Sequence, residues 1–489
     1  MAVRRVLFAV SEVAPWIKTG GLADVAAALP AALRARGLDV RVLVPLYPAL
    51  AQAFAQAPII AKLPAAGGDL PASLLREATA PDGTPLLLLE CAQLYARPGN
   101  PYVDGAGHDH ADNAIRFGLL SWVAAVLGSA ASPLDWRPQV VHCNDWQTAL
   151  APAFLRYSEL AAPHAATLLT IHNLAFQGLF DHAVLAALGM PPQAWAIDGV
   201  EFHGHVSFLK GGLQHADWIT TVSPTYAAEI QTEAQGLGLD GLLRWRSSHL
   251  SGVLNGIDDA IWNPALDPHL AAHYDARRLA AGKAANKSAL QRRCGLPRRD
   301  DIPLFGVVSR LTEQKGFDLL VPLETQLAAL PAQLVVLGTG THELEQAFRA
   351  MAARHPDLFC VSIDFDEQLA HQIEAGADIF MMPSRFEPCG LNQMYSLRYG
   401  TPPLVRRTGG LADTVVDATP ASLADGSANG FVFEEPTSQA LLATVNRAIV
   451  LWRQRRQWRT LQRHGMRQDW SWTQPARVYD ELYRRLLAR

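Results

Sequence analysis

A hexapeptide, Thr-Gly-Gly-Leu-Ala-Asp, occurs twice in this chain, as Thr19–Asp24 after Lys18 and as Thr408–Asp413 after Arg406 and Arg407. Each copy follows a short apolar run and opens a segment that reads as a helix. A glycine pair at a helix start lets the backbone turn sharply and lets an anion approach the free N–H groups there. In the first copy Lys18, Gly20 and Gly21 are candidate phosphate contacts, with Asp24 in the first turn behind them. Two further cations, Arg310 and Lys315, straddle a turn in Arg-Leu-Thr-Glu-Gln-Lys-Gly. Arginine offers a planar fork and lysine a point charge, a pair suited to one diphosphate.

Other candidates have sugar-binding chemistry. Glu387 lies in Ser384-Arg-Phe-Glu-Pro-Cys-Gly-Leu391, a broken turn before a helical stretch, where a carboxylate accepts hydrogen bonds from hydroxyls and the N–H groups of Cys389, Gly390, Leu391 and Asn392 face a phosphate. Cys389 reads as a small residue at a crowded turn, not a nucleophile. His142, Asp145, His172 and Asn173 close two apolar runs and are placed to orient a sugar. Tyr95 and Tyr102 bracket a Pro/Gly-rich loop that reads as a stacking surface. Asn255 opens the turn Asn-Gly-Ile-Asp. Asp364 and Asp366 read as a helix cap, and His108 with His110 lacks a third ligand, so no metal site is expected.

The elements that must carry these residues are strands alternating with helices. Apolar runs appear at Val6–Val10, Val40–Val44, Leu86–Leu89, Val140–His142, Leu168–Ile171, Trp218–Val222 and Gly252–Leu254. They resume at Leu304–Val308, Leu334–Leu337, Phe359–Ile363, Ile379–Met382, Pro403–Val405 and Phe431–Phe433. Continuous rather than alternating apolarity is the pattern of parallel strands covered on both faces. The expected class is therefore α/β, with two Rossmann-like doubly wound parallel sheets facing a cleft. Candidate loops after strands sit at the carboxyl edge, where such sheets bind ligands. The expected division is 1–255, 256–465 and 466–489, the last an amphipathic helix returning to the first domain.

Bulk properties agree. A length of 489 residues exceeds one ordinary core, and 49% apolar with 18% charged residues is globular. A formal charge of −4 argues against a nucleic-acid partner. The basic stretch Arg453–Arg467 reads as a solvated helix face. Five scattered cysteines form no disulfide or zinc pattern, no apolar run approaches a membrane span, and no leader is evident at the N-terminus, so a cytoplasmic setting is expected.

Together these loops resemble the signatures of the bacterial glycogen synthase and plant starch synthase family. The resemblance rests on Lys18–Val25, Tyr95–Tyr102, His172–Gly178, Asn255–Asp258, Ser309–Gly316, Pro383–Gly390 and Arg406–Asp413, in order from end to end. It implies a retaining glycosyltransferase of GT-B architecture that moves glucose from ADP-glucose to the non-reducing end of an α-1,4-glucan, without a cofactor. It implies catalytic roles for Glu387, His172, Asp145, Arg310 and Lys315. Candidate phosphate ligands in both halves predict hinge closure over the donor. Lys18 would meet the donor's phosphates, and the Tyr95 loop and Asn255 would border the sugar. Asn392 stands where many relatives have Thr, implying a retuned contact. The alternatives are a related transferase using UDP-glucose or another acceptor, and a non-catalytic glucan-binding relative.

Overall fold

The computed structural model describes residues 4–488; residues 1–3 and 489, inside the first and last expected segments, lie outside the described residues. The chain forms two compact units, one running to Gly256 and resuming at Trp472, the other Ile257–Ser471.

Twelve strands belong to the first unit: β1 (Arg5–Ala9), β2 (Asp39–Pro45), β3 (Ile59–Leu63), β4 (Ser73–Thr79), β5 (Pro85–Glu90), β6 (Val140–Asn144), β7 (Ala166–Ile171), β8 (Leu179–Phe180), β9 (Glu201–Phe202), β10 (His205–Ser207), β11 (Trp218–Thr221) and β12 (Leu250–Gly252). Nine of them make one sheet in the order β12-β11-β7-β6-β1-β2-β5-β4-β3. Pairing is parallel from β12 to β5 and antiparallel at β4 and β3. In β1, Val6, Leu7, Phe8 and Ala9 are all fully buried, which is why the run is apolar on both faces. β8, β10 and β9 form a separate small antiparallel sheet.

The chain leaves β1 toward β2 on one side, and later threads β6, β7, β11 and β12 on the other. Strand order thus reverses between β1 and β6, and such a switch point opens a ligand crevice at the carboxyl ends. The helix Gly21–Ala35 follows β1 and buries Leu22, Val25, Ala26, Leu29 and Leu33. Against it packs the helix Thr473–Leu487, from the far end of the chain. Tyr479, Leu482, Tyr483 and Leu486 of that helix join the core of this unit. The carboxylate of Asp480, almost fully buried, takes Arg4, Arg36 and Arg484.

The second unit contains β13 (Leu304–Val308), β14 (Gln333–Leu337), β15 (Phe359–Ser362), β16 (Ile379–Met382), β17 (Pro403–Arg406) and β18 (Phe431–Phe433). They form one parallel sheet in the order β15-β14-β13-β16-β17-β18. Here the reversal lies between β13 and β16. Alternate residues of each strand feed two apolar layers, Leu334 and Val336 on one face and Val335 and Leu337 on the other. Asp366 caps the helix Glu367–Gly376 by accepting from the Leu369 N–H, and Arg455 of the basic helix Arg455–Arg467 lies over the Trp452 ring at 3.7 Å. Among the described residues no helix is long and apolar enough to cross a membrane.

Candidate active site

In the first unit the candidate residues gather at the carboxyl ends of β1, β6 and β7. Glu12, just past β1, is buried and organises the glycine loop: its carboxylate accepts from the Thr19 N–H at 2.6 Å and the Thr19 hydroxyl at 2.7 Å. Tyr102 donates to the same carboxylate at 2.5 Å and lies 2.8 Å from the Ser11 hydroxyl. Burial raises the Glu12 pKa, opposed by these hydrogen bonds. Glu12 was missed from sequence because a single acid after a strand carries no signal; only its partners, distant in the chain, reveal it. Gly20 is the extended N-cap of the helix Gly21–Ala35, and a Cβ built on it meets nothing within 4 Å, so this face of the loop is open. Lys18 reaches back to Asp24 at 2.7 Å, both side chains about a third exposed.

Asp145 sits after β6 with a positive φ of 55°. Its Oδ1 accepts from the His172 N–H at 2.6 Å and the Asn173 N–H at 3.3 Å, tying the end of β6 to that of β7. Burial pushes the Asp145 carboxyl up to about 7, the backbone donors pull it down, and Glu12 adds to the rise. His172 Nε2 lies 2.9 Å from Asn144 Oδ1. The Asn144 amide nitrogen donates to the Ala9 carbonyl at 3.0 Å, bridging the switch point, so its oxygen is the acceptor and His172 carries its proton on Nε2. Burial lowers His172 to about 3, leaving it neutral. Asn173 Oδ1 accepts from the Ala175 N–H in a local turn. Asn255 is buried, and its Oδ1 has no hydrogen-bond partner.

Two expectations in this unit are corrected. Tyr95 is no stacking surface: it is fully buried, donates to the Arg116 carbonyl at 2.6 Å and packs edge-on to Tyr47. The other end of its loop, Tyr102, is what reaches the site. His142 does not reach the carboxyl edge; it is a core residue held by Tyr483 Oη and Thr170 Oγ1, each at 2.7 Å.

In the second unit the loops after β13 and β16 flank the switch point. Lys315 Nζ and Glu387 Oε2 are 2.5 Å apart, and the Ser384 hydroxyl donates to the same oxygen at 3.1 Å. Gly316 has φ 72°, and a Cβ there would lie 2.0 Å from the Pro383 carbonyl oxygen, so only glycine lets the Lys315 loop lie against the end of β16. The Arg385 N–H donates to the Gln314 carbonyl at 2.8 Å, a second tie between the loops. Arg310 is exposed beside them. Asn392 opens the helix Asn392–Arg398 and donates to the Val308 carbonyl at 2.7 Å, so its amide N–H ties that helix to β13. Cys389 is buried, and the Cys389 and Gly390 carbonyls both accept from the Gln393 side chain at 3.0 Å.

The twin hexapeptides, alike in sequence, are not equivalent in structure. The Gly410 N–H donates to the Glu387 and Pro388 carbonyls at 3.2 and 3.1 Å. A Cβ on Gly409 would lie 2.0 Å from the Glu387 oxygen. The second copy is thus a backbone cradle for the Glu387 turn. Its preceding cations are also engaged: Arg406 donates to the Arg385 and Glu434 carbonyls, and Arg407 pairs with the Glu434 carboxylate at 2.6 Å.

Residues 5–245 match the model of the starch synthase catalytic domain, and residues 292–464 that of glycosyl transferases group 1. The chain is 59% identical to a glycogen synthase of Dechloromonas aromatica, across 100% of this chain and 99% of that one. It is 55% identical to a glycogen synthase of Aromatoleum aromaticum, across 98% and 96%. Among solved structures, the catalytic domain of starch synthase IV from Arabidopsis thaliana, bound to ADP and acarbose, superposes with a TM-score of 0.87 at 31% identity, each chain covered in full. A sucrose-phosphate synthase from Thermosynechococcus elongatus shares the fold, with a TM-score of 0.60 at 17% identity. The chain belongs to the bacterial glycogen synthase family of GT-B glycosyltransferases.

Proposed function

We propose that this enzyme transfers glucose from ADP-glucose to the non-reducing 4-hydroxyl of an α-1,4-glucan with retention of configuration. The observation that carries the reading is the Lys315–Glu387 pair, set at a switch point beside the exposed Arg310. Breaking a glycosyl–phosphate bond builds negative charge on the diphosphate and positive charge on the sugar. Arg310 and Lys315 hold the diphosphate as it leaves, and preorganised donors of this kind are worth about 10²–10³ each in turnover. Lys315 has three N–H donors, so it keeps Glu387 while meeting phosphate. Glu387 accepts from donor glucose hydroxyls, its carboxylate fixed by Lys315 and Ser384.

The second unit is therefore the donor side and the first the acceptor side. Lys18 and the N–H groups at Gly20 and Gly21 supply further positive potential to the donor's phosphates, with Asp24 as the resting partner of Lys18. Neutral His172, whose Nε2–H is given to Asn144, offers Nδ1 as an acceptor to a sugar hydroxyl and adds no charge to oppose the one developing on the sugar. Asp145 spends Oδ1 on two backbone donors, which suits positioning the His172–Asn173 turn better than nucleophilic attack. Retention then follows from front-face attack, in which the acceptor hydroxyl enters on the side where the diphosphate departs and gives its proton to the leaving phosphate oxygen.

The test is glucan elongation on a glycogen primer, with ADP-glucose and UDP-glucose offered in parallel. Growth of α-1,4 chains from ADP-glucose is the expected outcome. Growth from UDP-glucose alone reassigns the donor, and glucan binding without transfer reassigns the protein as a binding relative.

A further inference from the structure

The glycine loop after β1 hangs from one buried acid. Lys18, Thr19, Gly20 and Gly21 are all exposed, whereas Glu12 is 3% exposed. The base of the loop is closed locally. The Ile17 N–H donates to the Val13 carbonyl at 3.0 Å, and the Ala14 N–H donates to the Ala23 carbonyl of the following helix at 3.2 Å. The outer part turns on Thr19, whose backbone N–H and hydroxyl both donate inward to Glu12, one to each carboxylate oxygen. Tyr102 shares Oε1 with the Thr19 hydroxyl.

The directions of these bonds follow from the groups. An ionised carboxylate only accepts, so Tyr102 gives its single hydrogen to Glu12 and accepts from the Ser11 hydroxyl. Three donors on one carboxylate hold a charge that burial has stripped of water. Tyr102 is fixed in turn from its own side: its carbonyl accepts from the Asn113 side chain at 2.8 Å, and its ring lies 5.7 Å from that of Phe117. The same bonds shape the start of the helix Gly21–Ala35. Thr19 is the hydroxyl residue next to the N-cap, and Glu12 takes that hydroxyl. Gly20, the N-cap itself, makes no side-chain cap, so the helix start has no side-chain acceptor of its own there.

We propose that Glu12 is a positioning residue for the nucleotide donor, acting through Thr19. The inference rests on the reading that this loop meets the donor's phosphates. The Glu12 carboxylate draws Thr19 inward, which fixes the exposed Lys18, Gly20 and Gly21 on either side of it and keeps the Thr19 hydroxyl from closing over the helix start. Tyr102 ties the same carboxylate to a loop some 90 residues away in the chain, so both loops share one anchor. Glu12 lies behind Thr19 and acts only through it. The loop would contact phosphates, not the bond that breaks, so the effect falls on binding rather than on the chemical step.

Titration calorimetry of ADP into the full-length protein tests this, beside steady-state kinetics and thermal melts. Glu12→Gln and Thr19→Val should each weaken ADP binding about tenfold, the loss expected for a hydrogen bond to a charged group. KM for ADP-glucose should rise in step, with kcat held within about twofold. Thr19→Ser keeps the donor and should bind ADP like the unmutated protein, and Tyr102→Phe, which leaves two donors on Glu12, should lose less than Glu12→Gln. Lys18→Ala separates this inference from the reading beneath it. Weaker binding in Lys18→Ala with undiminished binding in Glu12→Gln and Thr19→Val would overturn the positioning role alone. Undiminished binding in Lys18→Ala would overturn both. Equal losses in Thr19→Ser and Thr19→Val, or a lowered melting temperature with ADP affinity unchanged, would also overturn the positioning role.

Discussion

Lys315 and Glu387 stand 72 residues apart in the chain, yet their ammonium and carboxylate meet at 2.5 Å across the reversal of the second sheet. The contact joins the loop after β13 to the loop after β16. On the proposed function it presets both the charge that would meet phosphate and the carboxylate that would meet the sugar.

Removing either partner should therefore damage turnover more than folding. Lys315→Ala and Glu387→Ala are each expected to lower kcat by about 10²–10³, with circular dichroism unchanged. Glu387→Gln, which keeps an acceptor for hydroxyls, should lose less. Steady-state kinetics with ADP-glucose and glycogen reads all three.

The unequal hexapeptides predict unequal alanine variants. Gly409→Ala drives a Cβ into the Glu387 carbonyl at a φ of 43°, and should cost about 1–3 kcal/mol of stability together with activity. Gly20→Ala meets open space, so it should melt normally and weaken only ligand binding. Thermal melts beside kinetics separate the two.

Asp145 predicts a pH-dependent stability difference. Its folded pKa, about 7, lies above the ordinary aspartate value of 3.8. The folded state thus holds the proton more tightly, so this group's contribution is full below the unfolded pKa and is lost as pH rises through about 7. Relative to Asp145→Asn, the unmutated protein should lose stability between pH 4 and 7, at no more than about 1.4 kcal/mol per pH unit. His172, lowered to about 3, acts oppositely in both proteins and cancels in the difference. Urea denaturation across that range measures it; a flat difference would contradict the assignment.

The terminal helix should behave as part of the first unit's core. Tyr483→Phe leaves the buried His142 Nδ1 without its partner and should cost about 1–3 kcal/mol, with ADP affinity unchanged. Denaturation and calorimetry on the same variant check both halves of this statement.

The parallel strands were readable because strands buried on both faces must be continuously apolar, as in β1 and β6. The edge pair β3 and β4 escaped notice because its strands are half exposed and polar at intervals, as Lys62 and Arg76 illustrate. The strands β8 to β10 are too short to carry a period. Motif spacing located the loops that hold Lys18, Arg310, Lys315 and Glu387, but strand order is a tertiary property, and the two switch points appear only in the folded chain. Side-chain direction was equally hidden. The Tyr95 loop was placed correctly as a loop, while the choice of Tyr102 over Tyr95 depends on which ring points at Glu12. Arg406 and Arg407 precede the second hexapeptide as Lys18 precedes the first, and only the folded chain shows their carbonyl and Glu434 partners.

The central claim is that Arg310 and Lys315 grip the nucleotide's diphosphate, and titration calorimetry of ADP into the full-length protein tests it most directly. Arg310→Ala and Lys315→Ala should each weaken ADP binding by about tenfold or more, the loss expected for one charge-assisted hydrogen bond. ADP binding that is equally tight in both variants and in the unmutated protein would contradict the account.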